Sequence, residues 1–198
     1  MKNNKLILIV FLLTAGIWWN FFNLKEMVVQ WSQAPDYFSK NMRSFFSDEN
    51  LMKIQEVRWN AFGEKREDNL SKIYYNKGYI LVDNFFSYVS YFMPRSYFQA
   101  GDGTKFSPKG VEPIAGILFP FWIMGLISII KDKYFKPLYL VLGTSLFAFL
   151  LGQRNLAFLF PVMLVYIYIA SKSLGKKQFI FVLLYTLFII GRVIWLKS

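Results

Sequence analysis

"NLAFLFPVMLVYIYIAS", residues 155–171, carries no charged side chain and approaches the roughly 20 residues that an α-helix needs to cross a hydrocarbon layer. Three more uncharged runs of comparable length occur: Leu6 to Leu24, Pro113 to Ile130 and Pro137 to Gln153. A fifth, Gln178 to Gly191, is short. It becomes long enough when Arg192 snorkels toward the headgroups and Val193 to Leu196 continue the helix. The pattern predicts an all-α, polytopic integral membrane protein with five transmembrane helices.

Composition agrees. Of 198 residues, 55% are hydrophobic and 20% aromatic, well outside the habits of a soluble domain of this size. Cysteine and histidine are both absent from the sequence. Disulfides, thiolate nucleophiles, imidazole acid/base pairs and the usual zinc sites are therefore excluded by inventory. Any chemistry must use carboxylates, Lys, Arg, Tyr or a metal held through oxygen. The net charge of +11 does not point to nucleic acid, because the basic residues lie between apolar runs instead of on one soluble face.

The first run follows two lysines, as a signal peptide does, but it ends in Trp18, Trp19, Phe21 and Phe22 in place of a small-residue cleavage site. Aromatics of that kind suit a membrane-interface belt, so an uncleaved helix over residues 1–24 is expected. Orientation follows from the short connections. With the N-terminus in the cytoplasm, the inner side holds Lys2, Lys5, Lys131, Lys133, Lys136, Lys172, Lys176 and Lys177, against Arg154, Arg192 and Lys197 outside. That asymmetry places residues 25–112 and the C-terminus on the extracytoplasmic side of a bacterial cytoplasmic membrane, with the remaining helices in residues 113–198.

The 25–112 segment is the part with soluble character. In "FSDENLMKIQEVRWNAF" (46–62), Leu51, Ile54, Val57 and Phe62 fall on roughly one helical face, and Ser47 or Asp48 is placed to cap its start. Residues 70–74 start another short helix that breaks near Gly78. The aromatic stretch 79–94 predicts a helix lying in the interface or against the bundle, ended by Pro94 and the turn-rich "AGDGTKFSPKG".

Three stretches in succession carry a resemblance: "YYNKGYILVDNFFSYVSYFMPRSYFQAGDG", the helix "GVEPIAGILFPFWIMGLISIIK" and the pair around "GQRNLAFLFPVMLVYIYIA". Together, over roughly residues 54–171, they resemble the C-terminal half of bacterial membrane glycosyltransferases of the dolichyl-phosphate-mannose mannosyltransferase and aminoarabinose transferase type, with the GT-C architecture. The resemblance implies a polyprenyl-phosphate sugar as donor and an acidic catalytic loop in an N-terminal half. It therefore implies that this chain is a C-terminal portion, standalone relative or split subunit, inactive without such a partner. A complete enzyme of this kind can also use a divalent metal. An alternative alignment sets Asp48 and Glu49 as the catalytic acids, with "YNK" (75–77) in the position of the family's Lys-Pro-Pro motif. The absence of both prolines speaks against it. A non-enzymatic membrane scaffold or assembly subunit is the rival reading.

Several residues admit two roles. Asp48 and Glu49 are either a general base for an acceptor hydroxyl or acids complementing a helix N-terminus. Arg154, flanked by Gly152, Gln153 and Asn155, either binds a lipid phosphate with its guanidinium fork or snorkels from a hairpin turn. Arg95 meets the same headgroup level or acts as an interfacial anchor. Asn76 and Lys77 contact a diphosphate or cap a helix, and Asp102 is a turn residue or a metal ligand.

Overall fold

The computed structural model describes residues 4–45, 47–75, 77–99, 101 and 103–197, without the side chains of residues 4–6, 66, 67, 77, 176, 177 and 189–197. The protein is all-helical, and no β-strand occurs among the described residues. Among the described residues the α-helices are α1 (Asn4–Leu13), α2 (Ala15–Phe22), α3 (Leu24–Ser32), α4 (Ala34–Phe45), α5 (Asp48–Phe62), α6 (Asn69–Tyr74), α7 (Lys77–Tyr91), α8 (Arg95–Phe98), α9 (Phe119–Lys131), α10 (Lys136–Leu150), α11 (Leu156–Ser173) and α12 (Lys176–Lys197).

Helix α11 sits at the centre. It is apolar all round, and Phe158, Val162, Met163, Ile167, Ile169 and Ala170 are fully buried between α1, α9 and α10. The contact with α9 is close enough to dictate sequence: a Cβ on Gly125 would stand 2.0 Å from the Ile169 carbonyl oxygen, so only glycine fits. Short connections make α9, α10 and α11 an up-down-up run, and Lys172 meets Asp132 at 2.7 Å where α9 and α11 end together.

The expected single helix over 6–24 is two helices. At Thr14 the backbone turns extended (φ −82°, ψ 116°), and the Gly16 amide donates to the Pro113 carbonyl at 2.9 Å instead of continuing the helical ladder. Glycine fits there because a Cβ would lie 2.9 Å from the Pro113 carbonyl oxygen, a backbone atom, as well as against Met163 Sδ. The Trp18 indole donates to the Leu12 carbonyl (2.7 Å), occupying an acceptor the break leaves open.

The run expected from Pro113 also starts late. Ile114 N–H donates to the Tyr97 carbonyl (2.8 Å), and the Glu112 carboxylate accepts from the Gly116 amide (2.6 Å), so the regular helix begins only near Pro120. Among the described residues one helix, Leu156–Ser173, is long and apolar enough to cross a membrane; Gly116–Lys131, Lys136–Leu150 and Gln178–Phe188 are apolar but shorter.

The core is apolar, and large apolar side chains cover much of the outside as well. Leu8, Leu12, Phe21 and Phe22 on α1 and α2, Met124 and Ile127 on α9, Leu140 and Leu146 on α10, and Phe181, Leu184 and Phe188 on α12 all face outward. Inside, Thr14, Asn20, Ser171 and Thr186 are buried and each donates to the carbonyl four residues back in its own chain, while the Asn20 side-chain oxygen is left without a partner.

The amphipathic helix expected over 47–62 forms as α5, with Ile54 buried and the Ser47 hydroxyl accepting from the Asn50 amide. The aromatic stretch forms α7 over Lys77–Tyr91, against α10: the Tyr88 hydroxyl donates to the Leu142 carbonyl (3.0 Å), and Tyr88 and Tyr91 both pack edge-on to Phe149.

Candidate functional site

The site grows from the turn between α10 and α11. Helix α10 ends with orphan carbonyls, and Asn41 of α4 caps two of them, donating to Phe149 O and Leu150 O at 3.0 Å each. The chain reverses through Gly152 at φ 66°, and Asn155 starts α11 by accepting the Ala157 amide on its side-chain oxygen (3.1 Å). Pro161 has no N–H to offer the Ala157 carbonyl four residues earlier, and the Trp31 indole takes that acceptor instead at 3.1 Å. Arg154 thus projects from a turn pinned on both sides.

Its counterpart arrives from α8. Tyr97 and Phe98 are buried, at 0% and 5% exposure, and plug into the bundle against Tyr166 and Trp122. The Tyr97 hydroxyl donates to the Tyr91 carbonyl at 2.7 Å, and the Tyr166 hydroxyl donates to the Phe92 carbonyl. With these two rings committed inward, Arg95, Ser96 and Gln99 of the same short segment are left facing outward. They line a cleft of about 1020 Å³ whose opposite wall is Gln153, Arg154 and Asn155, with Thr104 and Ser107 of the following loop alongside.

Arg154 Nη2 donates to Ser96 Oγ (3.2 Å) and to the Ser90 carbonyl (3.3 Å), which ties the α10–α11 turn to the ends of α7 and α8. Arg95 Nε donates to Gln99 Oε1 at 2.9 Å. Both side chains are exposed and line the cleft, and a guanidinium carries five N–H donors, more than these bonds use. Burial holds the Tyr97 phenol well above its ordinary range and the neighbouring Tyr166 raises it further, against the opposing charge of Arg154. Tyr97 therefore stays a neutral donor at any physiological pH. A second hollow of about 670 Å³ shares Thr104 and Asn155 with the first and adds Lys25, Lys105 and Glu26, with Lys105 and Glu26 3.6 Å apart.

The structure brings together two of the residues singled out from sequence, Arg95 and Arg154, although α9 and α10 lie between them along the chain. It does not bring Asp48 and Glu49 with them. Those acids occupy the exposed first turn of α5, next to the Ser47 cap, where they complement the helix dipole, and they do not line the cleft. Asn76 and Asp102 lie outside the described residues, as does the Lys77 side chain, whose backbone opens α7. Among the described residues no cluster of three or more carboxylates is arranged to hold a metal.

Sequence reasoning did not place Ser96, Gln99, Thr104 or Ser107 in the site. The one available signal was the Tyr97–Phe98 pair, whose burial forces its neighbours outward. Comparison with known proteins finds no matching family model, no matching curated protein and no matching solved structure.

Proposed function

We propose that this chain is a membrane-embedded helix bundle that binds the phosphate of a polyprenyl-phosphate lipid between Arg95 and Arg154. In this reading it serves as a C-terminal portion, standalone relative or split subunit of a lipid-phosphate-sugar-dependent glycosyltransferase in a bacterial cytoplasmic membrane. The observation that carries the reading is the convergence of two exposed guanidinium groups on one cleft that no carboxylate lines among the described residues. Planar forks of N–H donors match phosphate oxygens two at a time, and no acid competes for them.

Membrane residence is supported by the outward apolar side chains of α1, α2, α9, α10 and α12. The shorter apolar helices cross by local thinning of the bilayer and snorkelling of their flanking lysines. The basic residues orient the bundle with the cleft on the extracytoplasmic side.

The same lining speaks against catalysis by this chain alone. Sugar transfer needs a positioned base for the acceptor hydroxyl, and the cleft offers cations and neutral donors only. A partner with an acidic loop supplies the base, and any divalent metal with it. Where no such partner exists, the same observation favours a non-enzymatic lipid-binding scaffold.

The test is a titration of the detergent-purified protein with polyprenyl phosphate, read by native mass spectrometry. Arg154→Ala weakens binding about ten-fold or more, and Arg154→Lys restores only part, because lysine offers a point charge without the fork. Equal binding by all three proteins leaves Arg154 as a structural tie alone. In a transfer assay with radiolabelled donor the protein alone gives no product; turnover that disappears in Asp48→Asn or Glu49→Gln would overturn the partner model and make the acidic pair the catalytic site.

A further inference from the structure

The opposite end of the bundle holds a second constellation. The connection from α9 to α10 carries Lys131, Lys133 and Lys136, all exposed, and a single carboxylate, Asp132, which is already engaged by Lys172 at 2.7 Å. Among the described residues, none of these three lysines has a carboxylate partner. Beside them a groove of about 350 Å³ opens between the start of α10 and one face of α11. Tyr134, Lys136 and Tyr168 line this groove, so two tyrosines and one lysine border the same space. The rest of the lining is apolar, with Leu140 and Pro137 from α10 and Pro161, Leu164 and Val165 from α11.

We propose that this groove is a binding site for an anionic glycerophospholipid. Its phosphate is held by Lys136 and the two tyrosine hydroxyls, and one acyl chain lies along the Leu140–Leu164–Val165 wall. The choice of occupant rests on charge: a lysine cluster with its lone carboxylate neutralised selects a lipid with net negative charge over a zwitterionic one, while the apolar wall selects a lipid over a soluble phosphate. The inference rests on the membrane reading given above, because it needs this end of the bundle at a headgroup layer. It is independent of what the arginine cleft binds.

The experiment is a native mass-spectrometry titration of the full chain in detergent with phosphatidylglycerol and phosphatidylcholine of identical acyl chains. Wild-type protein prefers phosphatidylglycerol about five-fold or more, the size of effect expected for one lysine at a lipid headgroup. Lys136→Gln brings the two lipids to near parity, Lys136→Arg keeps the preference, and the Tyr134→Phe, Tyr168→Phe double variant reduces it about two-fold or more. Lys136 is exposed, so these variants test binding and not folding. Lys109→Gln, an exposed lysine near the arginine cleft, leaves the preference unchanged. Equal binding of the two lipids by wild-type protein, or an equal loss in Lys109→Gln, would overturn the proposal. If that happens while polyprenyl phosphate still binds in an Arg154-dependent way, the lipid groove alone is refuted; failure of the chain to insert into bilayers refutes the membrane reading and the groove together.

Discussion

The two ends of α11 are both positively charged, yet they are built in opposite ways. At the N-terminal end the cations are arginines, and each is already held: Arg154 by Ser90 and Ser96, Arg95 by Gln99, above rings sunk into the bundle. At the C-terminal end they are lysines on an exposed connection beside an apolar groove, with Asp132 paired to Lys172. Charge alone therefore does not say what each end selects. A guanidinium oriented by hydrogen bonds above buried aromatics presents a fixed fork to a phosphate, whereas ammonium groups beside an apolar wall select by net charge.

The largest effect should come from removing what holds the two ends in register. Gly125→Ala places a Cβ against the Ile169 backbone, where no side chain can move aside, and should destabilise the protein by about 3 kcal/mol or more, read as loss of the thermal transition in detergent. Both ends should fail together. Tyr97→Ala comes next. Emptying a fully buried aromatic site costs about 3–5 kcal/mol and should abolish lipid-phosphate binding at the arginine cleft, leaving phosphatidylglycerol preference at the other end intact in whatever protein remains folded. Tyr97→Phe keeps the ring and loses one hydrogen bond, about 1 kcal/mol, so a melting shift as large as that of the alanine variant would contradict the assigned packing role.

The smallest effect is electrostatic. The hydrogen bond and charge of Lys172, with help from Ser128, hold the Asp132 carboxyl below its ordinary value. A depressed carboxylate contributes stability that is present above its unfolded pKa, near 4, and is lost as pH falls through the lower folded value. Asp132→Asn should accordingly lower the melting temperature slightly at pH 7 and make no difference near pH 2. Because the carboxylate is fully exposed, solvent screening keeps the shift small. A difference that grows on acidification would contradict this pairing.

The helical class was legible because uncharged runs and the 3.6-residue pattern are local properties; α5 and α11 stand within a residue or two of where periodicity puts them. What periodicity does not carry is the break at Thr14, which depends on a hydrogen bond from Gly16 to Pro113, nearly a hundred positions away. The late start of α9 has the same origin in the Ile114–Tyr97 contact. For the site, Arg154 and Arg95 were readable as costly cations beside apolar runs, but their meeting depends on Tyr97 and Phe98 turning inward, a tertiary event. Asp48 and Glu49 stayed open between two roles in the sequence, since a helix N-terminus and a catalytic loop attract the same residue types.

The central claim is that these two ends face opposite sides of a membrane, with the arginine cleft outside. The absence of cysteine makes the direct measurement clean: Lys109→Cys, near the cleft, and Lys133→Cys, at the lysine-rich end, are introduced singly and treated with an impermeant maleimide in intact spheroplasts and again after lysis. Labelling of Lys109→Cys in intact spheroplasts, with Lys133→Cys reacting only after lysis, is the predicted result; equal labelling of both before lysis, or the reverse order, would contradict it.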